Sequence, residues 1–234
     1  MIRLDKFLCE MQIGTRSQVK EMIKKGMVTV DREVIKKADY KFDELTVKVY
    51  VNEKEISFQK YFYYMLNKPS GVVSATRDHS DKTVLDLLKG AKGKDLFPVG
   101  RLDKDTEGLL LITNDGELSH NLLSPKKHVD KTYLVETAEA VSNEMISTLE
   151  KGVDIGEEHL TLPARVKVLE DKIIELTITE GKFHQVKRML KAVGNEVVYL
   201  KRLSMGNLVL DEKLKLGEFR PLTDLELKKL VDKE

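Results

Sequence analysis

The stretch from Pro98 to Gly116, PVGRLDKDTEGLLLITNDG, narrows the folds open to this chain more than any other. Phe97, Pro98 and Val99 form an apolar entry, followed by Gly100-Arg101-Leu102-Asp103 and a polar, glycine-bearing turn. Leu109-Leu110-Leu111-Ile112-Thr113 then runs without interruption to Asn114-Asp115-Gly116. A short apolar run bounded by turn residues reads as a core strand. The pattern is therefore strand, loop, strand, turn, with a carboxylate on a short loop between two strands, where rigid scaffolds commonly carry function. Spacing alone leaves Asp103 open as nucleophile, general base or loop aspartate bonded to its own backbone, and it favours the last. Asp105, two residues on, weakly suggests a carboxylate pair of the glycosidase kind, because neighbouring loop carboxylates are common.

Upstream, Leu4, Phe7, Leu8 and Met11 fall at helical spacing, and Gly14 ends that run. Thr15-Arg16-Ser17-Gln18 has the form of a capping box, opening a second helix with Val19, Met22 and Ile23 on its apolar face. Gly26 stops it. Met27 to Val30 and Glu33 to Ile35 read as short strands joined by Asp31-Arg32. The polar stretch 52–60 holds the expected linker, residues 56–60. Beyond it, strands are expected at Tyr61 to Pro69, Val72 to Ala75, Lys131 to Glu136, Arg165 to Val168, Ile173 to Ile178 and Val197 to Leu200. Helices are expected at Thr83 to Leu88, Glu117 to Leu123, Ser142 to Lys151, Gln185 to Val193 and Leu225 to Val231. Many strands with a few interleaved helices predict an α+β fold around a mixed or antiparallel sheet.

A net charge of +1 hides an uneven distribution. Residues 1–37 carry nine Lys/Arg against five Asp/Glu, and residues 182–202 carry six against one. Two basic islands in a near-neutral chain fit either a polyanion footprint or plain surface solvation. A single cysteine, Cys9, excludes an internal disulfide framework and a multi-cysteine metal site. No apolar run approaches the roughly 20 residues of a membrane span, and no secretory signal pattern opens the sequence. A cytoplasmic protein is expected.

Leu4-Asp5-Lys6-Phe7-Leu8 and the run TRSQVKEMIKKGMVTVDREVI resemble the S4 RNA-binding module, a basic helix pair followed by a glycine, a strand and a turn. Arg32 stands where that module usually has its turn glycine, which weakens the expectation of a type I′ turn. YMLNKPSGVVSAT (64–76), the opening stretch (98–118), SPKKHVDKTYLV (124–135), TEGKFHQVKRMLKAVGN (179–195) and LKLGEFRPLT (214–223) together resemble the RsuA-type pseudouridine synthases, S4 module included.

That resemblance implies an S4 module at 1–55 and a pseudouridine synthase domain at 61–234. It implies isomerisation of a uridine already in ribosomal RNA, uridine 516 of 16S rRNA, with Asp103 as the nucleophile. Tyr133 would stack on the target base and handle a proton there. Lys187 would pair with Asp103 and hold it ionised, with Arg188 the competing neighbour. Two successive helical residues point about 100° apart, so only one of them can face the site. Arg101, Lys104 and Arg188 would contact the RNA backbone, as would Arg3, Lys6, Arg16, Lys20 and Lys24 of the S4 module. Leu200 or Leu203 would pack under the base or simply in the core. No cofactor and no metal is implied, and the expected partner is ribosomal RNA, met by a monomer away from membranes. The rivals are a large-subunit (23S) rRNA enzyme of the same family, a non-catalytic S4 RNA-binding protein, and a glycoside hydrolase using Asp103 and Asp105.

Overall fold

The computed structural model describes residues 1–231; the last three residues of the expected second domain, 232–234, lie outside them. The chain divides into two compact units, one of residues 1–62 with 90–95, the other of residues 63–89 and 96 onward. The sequence reading places 90–95 in the second domain. Among the described residues no helix is long and apolar enough to cross a membrane.

In the first unit β1 (Ile2–Arg3) leads into α1 (Leu4–Glu10) and α2 (Arg16–Lys24). Thr15 closes the expected capping box with Gln18, satisfying amide groups that the first helical turn leaves unbonded. Leu4, Phe7 and Leu8 of α1 and Val19 and Ile23 of α2 are buried together, leaving the basic faces outward. β2 (Val28–Val30), β3 (Glu33–Val34), β5 (Val49–Val51) and β6 (Lys54–Ile56) form a four-stranded antiparallel sheet in the order β3-β2-β5-β6, and β4 (Lys41–Phe42) pairs with β1. Asp31 and Arg32 both have positive φ, 46° and 71°, the left-handed pair that a type I′ turn requires. The tight turn therefore forms without glycine. Asn52 and Glu53 repeat the device with φ of 48° and 67°, so β6 closes a hairpin across residues 52–56, where the sequence suggested only linker.

The second unit is built on a nine-stranded sheet. Its strands are β7 (Tyr63–Lys68), β8 (Phe97–Pro98), β9 (Glu107–Thr113), β10 (Lys131–Thr137), β11 (Arg165–Glu170), β12 (Ile173–Ile178), β13 (Val197–Met205), β14 (Leu208–Val209) and β15 (Phe219–Pro221). The order is β11-β12-β10-β13-β9-β7-β15, with β14 on β13 and β8 on β9. Only β13 and β9 run parallel, so the sheet is mixed, as expected of the α+β class. β9 is buried on both faces, which is why its sequence is a continuous apolar run. Leu109 and Leu111 pack on one side with Met65, Val99 and Met205, beneath Leu118 and Leu122 of α3 (Gly116–Leu123). α4 (Asn143–Lys151), α5 (Gln185–Ala192) and α6 (Asp224–Val231) complete the unit. The expected strand at Val72 to Ala75 is not formed. Only a single bridge, Val73 to Thr83, occurs there, because Val73 is tied to the segment preceding a short 3₁₀ turn rather than to a sheet edge.

Candidate active site

The loop between β8 and β9 is fastened from behind. Lys68, at the end of β7, is fully buried and donates its ammonium to four backbone carbonyls: Pro69 (3.1 Å), Asp103 (3.0 Å), Lys104 (3.2 Å) and Thr106 (2.8 Å). Burial pushes its pKa down to about 8, against the opposing pull of Asp105, Asp103 and Glu107. Ser74 adds a second fastening, donating to Leu102 O (2.8 Å) and accepting from Leu102 N (3.0 Å). Gly108 ends the loop with φ of 100°, and a Cβ there would lie 2.3 Å from Arg202 O. Only glycine permits β9 and β13 to come together at that point. The backbone of Asp103 is thus anchored, and its side chain projects toward α5.

There Lys187 Nζ stands 3.3 Å from Asp103 Oδ2 and 2.5 Å from Asp105 Oδ1. Burial disfavours the charged ammonium, but the bonds and charges of Asp105 and Asp103 outweigh it, so the Lys187 pKa lies above the ordinary lysine value. The hydrogen bond from Lys187 holds Asp105 below the usual carboxylate range. Asp105 therefore does more than shape the loop: it competes for the ammonium. Arg188 turns away, donating to Glu157 (2.7 Å) and to the carbonyls of Phe183 (3.1 Å) and Ile155. His184, with φ of 48° just before α5, brings Nε2 to 3.7 Å from Asp103 Oδ1. Phe183, 73% exposed, stacks on the His184 ring at 3.8 Å.

Asp103 opens onto a cavity of about 690 Å³. Tyr133 and Leu200 line it and are both buried, whereas Leu203 is not among the lining residues. The register explains the difference. Thr132 pairs with Ser204 but Tyr133 pairs with Arg202, so the strand slips by one residue at Leu203. A bulge of this kind changes which side chains share a face: Arg202 and Leu200 join Tyr133 on the cavity side. Arg202 is consequently 2% exposed and is not part of a surface basic island, as its sequence position suggested. Arg101 and Lys104 lie at the cavity and are exposed, with Lys104 Nζ 2.6 Å from Asp81.

In the first unit, Arg3 is bound through two bonds to Asp5 (3.0 and 2.8 Å) and Lys6 stands 3.6 Å from Glu10. Arg16, Lys20 and Lys24 are exposed along α2. Asp103, Tyr133 and Lys187, the three expected catalytic residues, are gathered by the fold at one loop and cavity. Lys68, Ser74, His184 and Lys131 carry no such expectation, and Arg202 carries only that of a surface basic island, although it is buried. Lys68 had one visible signal, a lysine at a strand end immediately before a Pro-Ser-Gly turn. The others had none beyond residue type.

Residues 62–192 match the RNA pseudouridylate synthase family, and residues 2–44 match the S4 domain. The chain is 50% identical to the RNA pseudouridine synthase YtzG of Bacillus subtilis, over 97% of each chain. It is 43% identical to ribosomal small subunit pseudouridine synthase A of Vibrio cholerae, over 97% of this chain and 98% of that one. A crystal structure of a pseudouridylate synthase superposes with a TM-score of 0.70 at 40% identity, covering 99% of this chain and all of the other. With an anchored aspartate loop opening onto a cavity and an S4 domain on one chain, matched along nearly its whole length, the protein belongs to the RNA pseudouridine synthase family and is an RNA-modifying isomerase.

Proposed function

We propose that the chain isomerises one uridine of small-subunit ribosomal RNA, uridine 516 of 16S rRNA, with Asp103 as nucleophile. The observation that carries this reading is the Asp103 carboxylate at the cavity, its backbone anchored by Lys68 and its charge faced by Lys187. Relatives named ribosomal small subunit pseudouridine synthase A, at 40–43% identity over nearly full length, favour the small subunit as target.

A uridine in folded RNA is reached by extruding it from its stack, at a cost of a few kcal/mol. In the cavity Tyr133 stacks on the base, Leu200 packs against it, and water is excluded while the detached base turns. Exclusion matters because water capturing the sugar would leave an abasic site. The Lys187 ammonium, 3.3 Å away, holds the Asp103 carboxylate in place. Arg101 and Lys104 hold flanking phosphates at the mouth, and Arg3, Lys6, Arg16, Lys20 and Lys24 add backbone contacts, whereas Arg188 is taken up by Glu157. The enzyme acts as a cytoplasmic monomer, with residues 1–55 as the RNA-binding module and 61–234 as the catalytic domain joined by 56–60. Mapping pseudouridine in 16S and 23S rRNA from cells lacking the protein tests the assignment. Loss of one 16S site supports it, and loss confined to 23S rRNA moves the target to the large subunit.

A further inference from the structure

Two buried cations line the cavity, and among the described residues neither forms an ion pair with a carboxylate. Arg202 lines the cavity and is anchored by Nε donating to Leu109 O at 2.8 Å, while its Nη2 is buried with no hydrogen-bond partner. Lys131 also lines the cavity, is buried, and donates to Val129 O at 3.0 Å. Burial pushes the Lys131 pKa down and the nearby Arg202 pushes it the same way, with only partial opposition from Asp130 and Glu180. Both of those carboxylates have other partners: Asp130 pairs with Arg165, and Glu180 with Lys182 and Gln185. A buried guanidinium with an unused donor is costly to fold. Such a group marks a place where a negatively charged oxygen is to arrive.

The register says which oxygen. Arg202 is the cross-strand neighbour of Tyr133, and Lys131 lies two residues before Tyr133 on the same face of β10. The base is the far end of an extruded nucleotide and reaches deepest, whereas its phosphates stay at the mouth with the exposed Arg101 and Lys104. We propose that Arg202, supported by Lys131, is a catalytic residue that binds the uracil carbonyl oxygens and takes up the negative charge the ring acquires when the glycosidic bond opens. This rests on the reading of the chain as an Asp103-dependent uridine isomerase.

The charge follows from the chemistry. When the C1′–N1 bond breaks, its electron pair stays on the base and spreads to O2 and O4, while an Asp103 oxygen bonds to C1′. After the ring turns, C5 forms the new bond to C1′ and the carboxylate leaves. C5 loses its proton and N1 gains one, so the isomerisation balances without a co-reactant. Attack by Asp103 at C6 instead would push the C5–C6 pair onto O4, and the same cations would meet it.

Single-turnover rates and RNA affinities of wild type, Arg202→Met and Arg202→Lys test this on one small-subunit rRNA transcript containing either uridine or 5-fluorouridine at the target. The fluorinated base is a more acidic, better leaving group. Arg202→Met should bind RNA as wild type does and cleave the uridine bond about 10²-fold more slowly. The loss should be much smaller on 5-fluorouridine, and Arg202→Lys should recover part of it. Equal losses on the two substrates would show a structural role, and a loss of affinity at unchanged turnover would show a phosphate contact; either overturns the proposal. If Arg202→Met does not fold, Lys131→Met is read on the same two substrates. Asp103→Asn serves as the separate control: activity in that variant would remove the underlying reading, whatever Arg202 does.

Discussion

Lys187 holds two carboxylates at once, 2.5 Å from Asp105 and 3.3 Å from Asp103, and this division governs chemistry at the scale of single residues. Removing the ammonium leaves two like charges facing each other. Lys187→Met should therefore lower kcat by about 10²-fold while RNA affinity changes little. Asp105→Asn removes the competitor and releases Lys187 to Asp103, so kcat should stay within a few-fold of wild type. Steady-state kinetics of the two variants with a filter-binding titration checks both, and a larger loss for Asp105→Asn would reverse the roles. Lys187 and Asp103 are 84 positions apart in sequence, and only resemblance joined them before the fold did. Helix geometry then separated Lys187 from Arg188, whose guanidinium is committed to Glu157.

At the scale of elements, the loop bearing Asp103 is an irregular segment held by one lysine, and that lysine titrates. The Lys68 pKa falls from 10.5 to about 8 on folding, so the unfolded chain binds its proton more tightly. Between those values the unfolded state carries more protons, and the contribution of Lys68 to stability rises with pH from about 8 to 10.5. Denaturant titrations across that range should show the stability of wild type rising relative to Lys68→Met. A difference independent of pH would mean that folding does not lower the Lys68 pKa.

The elements legible in advance had regular periods: β10 alternates in burial along its length, and β9 announces two-sided burial by an unbroken apolar run. The hairpin of β5 and β6 was hidden because its turn, Asn52-Glu53, lacks the glycine that usually marks such a geometry. The side of the sheet taken by Arg202 was hidden for a different reason. A one-residue slip at Leu203 reverses the alternation, and nothing local in the sequence marks it.

Across the whole molecule, the S4 residues proposed to capture RNA and the residues proposed for its chemistry belong to different units. Arg16, Lys20 and Lys24 lie exposed along α2 of the first unit, whereas Asp103, Tyr133 and Lys187 all belong to the second. Phosphate contacts release counterions, so each one lost reduces the salt dependence of binding by roughly one unit of slope. Replacing Arg16, Lys20 and Lys24 together by Gln in the full chain should flatten the plot of log affinity against log salt by about two to three. The single-turnover rate at saturating RNA should be unchanged. An unaltered slope would place the RNA elsewhere on the protein.

If the Asp103 carboxylate turns a uridine of small-subunit ribosomal RNA into pseudouridine, the reaction fails without it. The most direct measurement incubates purified wild type and Asp103→Asn with 16S rRNA and maps pseudouridine at nucleotide resolution, with binding of each protein measured alongside. One modified position, uridine 516, is expected for wild type and none for Asp103→Asn at undiminished binding. Pseudouridine formed by Asp103→Asn, or none formed by the wild-type protein, would contradict this assignment.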